Sequence, residues 1–222
     1  VQKSKKSSIQ KNKNSLANIA YEKIKRMIIT LQYKPGEYIN ESEICAKLNF
    51  TRAPVHQAIH RLASDRLIQI IPQKGIIVQP LSIDEMKNIL EVRKLIEPYC
   101  CMCAAENVTP EEIDQMFALL DSAPKMIENR DIAGLVDLDH QFHLMIAKAS
   151  KNPVLTEMLS GLYSRISRYW AATWTNSKRL QIVYNEHLNI LKKIKSRNVK
   201  AVALAMEKHI DSIMKASLGS DS

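Results

Sequence analysis

Thr51-Arg52-Ala53-Pro54-Val55-His56-Gln57-Ala58-Ile59-His60-Arg61-Leu62, followed by Leu67-Ile68-Gln69-Ile70-Ile71 and, across Pro72-Gln73-Lys74, by Gly75-Ile76-Ile77-Val78, decides the fold of the N-terminal part. Thr51 is a good N-cap type, and Pro54 is tolerated in a first turn where its missing N–H has no partner to lose. At helical spacing Val55, Ala58, Ile59 and Leu62 share one face, while Arg52, His56, Gln57 and His60 share the other. The two β-rich runs read as a hairpin turning at Lys74-Gly75. Upstream, Leu16, Ile19, Ala20, Ile24, Met27, Ile28 and Leu31 mark a helix that ends at Lys34-Pro35-Gly36, and a second short helix is expected over about 41–48.

Three helices closed by a hairpin make a winged helix-turn-helix over residues 15–80. From Ser82 onward the strand signal stops. Ser82 to Glu85 and Thr109-Pro110-Glu111-Glu112 read as capping boxes, and further helices are expected at about 131–149, 153–174, 177–196 and 198–217. The expected fold is mainly α: a winged helix-turn-helix, then an all-α bundle of about six helices over residues 81–218.

The net charge of +9 is unevenly placed: +5 lies in residues 1–14, +4 in residues 15–80, and residues 81–222 balance to zero. The first 14 residues, rich in Lys, Ser and Asn, read as a basic disordered arm. A basic front joined to a neutral remainder points to a polyanion met by one part alone. No run of 18 apolar residues and no signal-like segment is present, so a cytoplasmic protein without a membrane partner is expected. Cys100, Cys101 and Cys103 crowd into one turn and read as core residues; a thiolate metal cluster lacks a second Cys pair.

An α-helix fits the DNA major groove, where Arg bonds guanine and Gln bonds adenine bidentately. Arg52, Ala53, His56, Gln57 and His60 are therefore candidate DNA contacts. At the hairpin tip Lys74 can reach phosphate, and Gly75 permits close backbone approach. The plain alternative is an ordinary solvated helix face.

Asp139, His143, His187 and His209 each lie within an apolar helical stripe, where an ionisable group is stable only if paired, hydrogen-bonded or coordinated. His143 falls about 40° from Asp139 around the helix, one turn on, whereas His140 falls about 100° away and is a bystander. Three imidazoles and a carboxylate suit zinc first, with nickel, cobalt, manganese or iron as alternatives. Taken singly, each His reads better as a hydrogen-bonded core residue; it is all four on inward faces that favours the metal. Arg93 also sits in an apolar stripe and needs an anion. That anion is either Glu97, one turn later, or the carboxylate of a bound effector. Tyr163, Arg165, Tyr169, Trp170 and Trp174 read as packing.

Tyr21 through Ile28, Lys34-Pro35-Gly36-Glu37-Tyr38-Ile39-Asn40-Glu41, Thr51-Arg52-Ala53-Pro54-Val55 and Gly75 make the chain resemble the GntR family of bacterial transcription regulators, in its FadR-like branch with the FCD effector domain. The likeness continues through Glu91-Val92-Arg93, Glu97-Pro98, Asp139-His140-Gln141-Phe142-His143, Asn152-Pro153, Glu186-His187-Leu188 and His209, covering about residues 17–217. It implies a homodimeric, ligand-responsive repressor or activator binding a palindromic DNA operator. It also implies a divalent metal held by the Asp and three His, with a small organic acid as effector. Ser42 stands where family members often have Arg, and His56-Gln57 replaces the usual Arg-Glu. Losing such contacts costs about 1–3 kcal/mol per base pair read, so the operator sequence is expected to differ.

Two other functions use the same residues: a metal-dependent hydrolase, or a DNA-binding regulator with a purely structural metal. Against the enzyme, no HExxH arrangement and no well-placed general base are present.

Overall fold

The computed structural model describes residues 15–218, so the basic arm expected over residues 1–14 lies outside the described residues. The chain separates into two compact units, residues 1–81 and 82–222.

In the first unit, α1 (Leu16–Ile29) starts at Ser15, whose side chain accepts from Asn18 N at 3.2 Å. After the Lys34-Pro35-Gly36 turn, with Gly36 at φ +81°, come β1 (Tyr38–Ile39), α2 (Glu41–Leu48) and α3 (Arg52–Ser64). Then β2 (Ile68–Ile71) and β3 (Gly75–Val78) form the hairpin. All pairings are antiparallel in the order β1-β3-β2, with Ile39 opposite Ile76 and Ile71 opposite Gly75. The expected hairpin is present, but β1 makes a third strand that the sequence reading missed. Two residues are too few to display an alternating pattern, and β1 exists because β3 offers it a partner. Thr51 occupies the N-cap of α3 without a side-chain capping bond. Gly75 is needed for its φ of +104°, since an added Cβ would meet only Ile39 O at 3.9 Å.

Ala20, Ile24, Ile28, Ile44, Val55, Ala58, Leu62, Leu67 and Val78 fill the core of this unit. Burial of the apolar face of α3 leaves its polar face outward. Tyr21 Oη donates to Asp65 Oδ2 at 2.5 Å, tying α1 to the end of α3. Burial, then the Asp65 hydrogen bond and charge, push the Tyr21 hydroxyl well above its usual value. A raised folded-state pKa stabilises fully below the unfolded value of about 10 and is lost as pH rises through the folded value. Tyr21→Phe is therefore expected to lower stability by about 1–2 kcal/mol at neutral pH, measured by urea titration of the full chain, and by less in strong alkali.

The second unit is all helical: α4 (Ile83–Asn107), α5 (Pro110–Leu120), α6 (Ala123–Glu128), α7 (Ile132–Ala149), α8 (Pro153–Thr173), α9 (Ser177–Lys195) and α10 (Val199–Leu218). The expectation of about six helices becomes seven among the described residues. The extra one is the six-residue α6, restarted by Pro124 just after α5 ends, and too short to show a period. The capping box at Thr109/Glu112 is complete. At Ser82 only half of the expected box forms. Ser82 Oγ accepts from Glu85 N, but the Glu85 carboxylate goes instead to Arg165 and Tyr169.

Within this unit α4 packs against α10, α7 against α8, and α9 against α10. Cys100 and Cys101 are buried side chains of α4 without a disulfide. Burial pushes the Cys100 thiol up to about 12, which keeps it a thiol rather than a thiolate ligand. No helix among the described residues is long and apolar enough to cross a membrane.

Candidate functional site

The apolar stripes of α7, α9 and α10 turn inward together, and each carries its ionisable residues with it. Asp139, His143, His187 and His209 are all 2% exposed or less. His187 Nε2 lies 3.3 Å from His209 Nε2 and 3.5 Å from Asp139 Oδ1, and His143 Nε2 lies 3.7 Å from the same oxygen. The ligand atoms of the three His fall within 4.8 Å of one another. Two donors about 2.1 Å from a tetrahedral zinc are separated by roughly 3.4 Å, the spacing that this group approaches.

Two carboxylates orient the rings. Glu186 Oε2 is 2.8 Å from His209 Nδ1, and Glu97 Oε2 is 3.0 Å from His143 Nδ1. The Glu186 contact favours the ring proton of His209 on Nδ1, which leaves its Nε2 lone pair facing the cluster. Burial first, then the neighbouring rings and Arg93, holds His187 well below the ordinary imidazole range. Burial likewise lowers His209, against the opposing pull of Glu186. The centre thus gathers bare lone pairs and Asp139 Oδ1, which has no hydrogen-bond partner, without the protons to satisfy them. The three His could hold a divalent cation, with Asp139 Oδ1 beside two of them.

Arg93 is fully buried, and its Nε donates to Glu97 Oε1. Of the two sequence readings of Arg93, the internal partner is therefore present. Its Nη1 and Nη2 atoms are buried without hydrogen-bond partners, and the guanidinium carbon stands 4.9 Å from the Tyr163 ring centroid. Burial would raise the Glu97 carboxyl, but Arg93 and His143 outweigh it and hold the group far below the carboxylate range. The space bounded by Glu97, Cys100, His143, Tyr163 and Met206 has no room for a water-sized sphere.

Sequence reasoning missed three parts of this centre. Tyr163, set aside as packing, holds its ring 5.2 Å from that of His143 at a tilt of 37°, with its hydroxyl near the Glu97 charge. Glu186 was noticed only as the neighbour of His187, and Glu97 only as a partner for Arg93. The available signals were the place of Glu186 next to His187 and of Glu97 one turn after Arg93. His140 stays outside the cluster, as its wheel position implied, with its ring 5.8 Å from Tyr163.

In the first unit Arg52, Ala53, His56, Gln57 and His60 are all exposed on α3, as are Ser42 at the start of α2 and Lys74 and Gly75 at the hairpin. Glu41 reaches across to them: its carboxylate is 3.8 Å from Arg52 Nε and 3.3 Å from His56 Nδ1. His56, His60, Glu41 and hairpin residues Ile70–Ile76 line a groove of about 620 Å3.

A family model described as "Bacterial regulatory proteins, gntR family" matches residues 16–78, and the FCD domain model matches residues 88–212. The chain is 26% identical over 193 residues to the HTH-type transcriptional repressor RspR of Escherichia coli (strain K12), covering 87% of this chain and 85% of that protein. It is 27% identical over 199 residues to the Nta operon transcriptional regulator of Aminobacter aminovorans, covering 87% and 92%. The solved structure of E. coli McbR/YncC has the same fold, with a TM-score of 0.84 at 20% identity over 94% of this chain and 99% of that one. The chain belongs to the gntR family of bacterial regulatory proteins, a DNA-binding transcription regulator with a C-terminal FCD effector domain rather than an enzyme.

Proposed function

We propose that Asp139, His143, His187 and His209 hold a divalent cation, zinc as first choice, and that this centre senses a small organic acid which alters DNA binding. The convergence of the three His ligand atoms within 4.8 Å of one another, with Asp139 Oδ1 at 3.5 and 3.7 Å from two of them and carboxylates beside two of the rings, supports the reading. When bound, the cation supplies a Lewis-acidic partner for an effector carboxylate. The chain contributes Arg93, whose two partnerless Nη atoms suit a carboxylate approached as a fork. Because the adjoining space is closed, admitting an effector requires the packing around Tyr163 and Met206 to open. The effector then shifts DNA affinity by its differential affinity for the open and closed arrangements.

The same closure favours a second reading, in which the metal is purely structural. Elemental analysis and native mass spectrometry of the purified chain test the cation, with one zinc per chain expected and none at any loading overturning the site. Operator titrations with and without chelator then separate the readings. Unchanged DNA affinity alongside a lowered melting temperature selects the structural metal.

On the DNA side, Arg52, Ala53, His56, Gln57 and His60 are proposed to enter the major groove, while Ser42, Lys74 and Gly75 meet the backbone or its edge. A homodimer in the cytoplasm would place two such helices on the half-sites of a palindromic operator. Repression is the expected sign, in keeping with the relative named a repressor. Fluorescence anisotropy on an operator obtained by in vitro selection is expected to show steep salt dependence. Lys74→Ala should lower the salt slope by about one, and Gln57→Ala should relax preference at one base pair by about 1–3 kcal/mol. Duplex binding that ignores salt, or a Gln57→Ala variant with unaltered preference, would remove these assignments.

A further inference from the structure

Ser82 is the first residue of the second unit and the N-cap of α4, so the chain passes from the DNA-binding unit into the effector domain at this point. Its side chain caps the helix in the ordinary way, accepting from Glu85 N at 3.4 Å. In a plain capping box the glutamate answers the backbone N–H of the cap residue, as Glu112 Oε2 does for Thr109 N at 3.0 Å. At Ser82 a residue of α8 has taken over that bond. Tyr169 Oη accepts from Ser82 N at 2.9 Å, and it lies 2.7 Å from Ser82 O and 3.1 Å from Glu85 Oε2. A phenol carries one proton, so Tyr169 donates to the carbonyl or to the carboxylate while it accepts from the amide. Burial raises the Tyr169 hydroxyl above its ordinary value, which keeps that proton in place at neutral pH. One turn earlier on α8, Arg165 donates from Nε to Glu85 Oε1 at 2.9 Å and from Nη2 to the same oxygen. Arg168 Nη2 stands 4.0 Å from Glu85 Oε2.

The same two helices meet again at the histidine cluster. Tyr163, six residues before Tyr169 on α8, places its ring centroid 4.9 Å from the Arg93 guanidinium carbon and 5.2 Å from that of the His143 ring. Arg93 lies eight residues after Glu85 on α4. At 1.5 Å per residue the two levels are about 9 Å apart along α8 and about 12 Å apart along α4. No Pro or Gly interrupts either helix between them, so a shift at Tyr163 is carried to Tyr169 by unbroken helix.

We propose that Tyr169 and Arg165 are positioning residues for DNA binding: their grip on Ser82 and Glu85 fixes the direction in which α4 starts after the DNA-binding unit, and α8 ties that grip to the histidine cluster. While the grip holds, both the backbone and the first-turn carboxylate of α4 are fixed to α8. Once it is released, only the Ser82 Oγ cap remains, and the connection gains freedom. A ligand at the cluster that displaces Tyr163 shifts the balance between the two states by its differential affinity for them. The grip stands without any metal, and only its tie to the cluster rests on the cation reading above.

The test is fluorescence anisotropy on the full, metal-free chain with a palindromic operator obtained by in vitro selection and with one half-site of it. Tyr169→Phe removes only the hydroxyl, and Arg165→Met only the charge on Glu85. Each is expected to change affinity for the palindrome about fivefold or more, and to leave unchanged the half-site, which a single DNA-binding unit engages. Damage to the fold alone would weaken both duplexes alike. Palindrome binding unchanged in either variant overturns the role of that residue, and equal weakening on both duplexes overturns the positioning role altogether. Hydrogen exchange over residues 82–86, where Ser82 N–H bonds Tyr169 and Met86 N–H bonds Ser82 O, reads the tie to the cluster. Added zinc should alter exchange there in the wild type and not in Tyr169→Phe. Exchange unaltered although zinc binds, or altered equally in Tyr169→Phe, overturns the tie. Failure to bind zinc at all overturns the cation reading and the tie together, while the metal-free anisotropy still decides the grip.

Discussion

Replacing Arg93 by Met is expected to destabilise the effector domain by about 3–5 kcal/mol, lowering the melting midpoint of the full chain by roughly 10 °C. The reason is the partner left behind. Glu97 is 2% exposed, and its carboxyl is kept ionised against burial chiefly by Arg93, then by His143. Without the guanidinium, the carboxylate is a buried charge beside a histidine that it must also orient, and it regains neutrality only by taking up a proton. The double variant Arg93→Met/Glu97→Gln leaves no unanswered charge at these two positions and keeps an oxygen that can accept from His143 Nδ1, so it should recover much of the loss. Calorimetry on the three proteins makes the comparison. An Arg93→Met protein that melts like the wild type yet no longer responds to organic acids would show that Arg93 serves the effector alone.

Stripping divalent metal from the chain is the second large effect expected. A ligand bound only by the folded state stabilises by about 2.7 kcal/mol at a hundred times its dissociation constant and about 4.1 kcal/mol at a thousand times. A chelator should therefore lower the transition by several degrees or more, and readdition of zinc should restore it. His187→Ala removes a ligand and should melt like the stripped wild type, with no further response to chelator. Glu186→Gln touches only the orientation of His209 and is expected to weaken metal binding by about 10- to 100-fold without abolishing it. Identical melting curves with and without chelator would count against the cation site.

Tyr163 and Glu186 show where a one-dimensional reading stops. The helical wheel placed Asp139, His143, His187 and His209 on inward faces, because the apolar residues flanking each one betray its direction. It set His140 aside for the same reason. Tyr163 carries no such contradiction: an aromatic ring in an apolar stripe is ordinary packing until its hydroxyl is seen against Glu97 and its ring against His143. Glu186 lies beside its helix's stripe, and only the neighbouring α10 makes it a brace for His209.

The sequence by itself determined the helical order, the exposed polar face of α3, the hairpin that follows it, and the inward direction of the four ionisable residues. Each of these follows from residue type and period along one element. Tertiary structure alone decided that the three His meet with Asp139 beside two of them, that Arg93 is answered by Glu97, and that the space beside them is shut. It alone also decided that β1 exists and that Arg179 reaches Ser212 across two helices. These depend on distances between elements, which arise when separate apolar faces are buried against one another and leave no trace in the periodicity of any single helix.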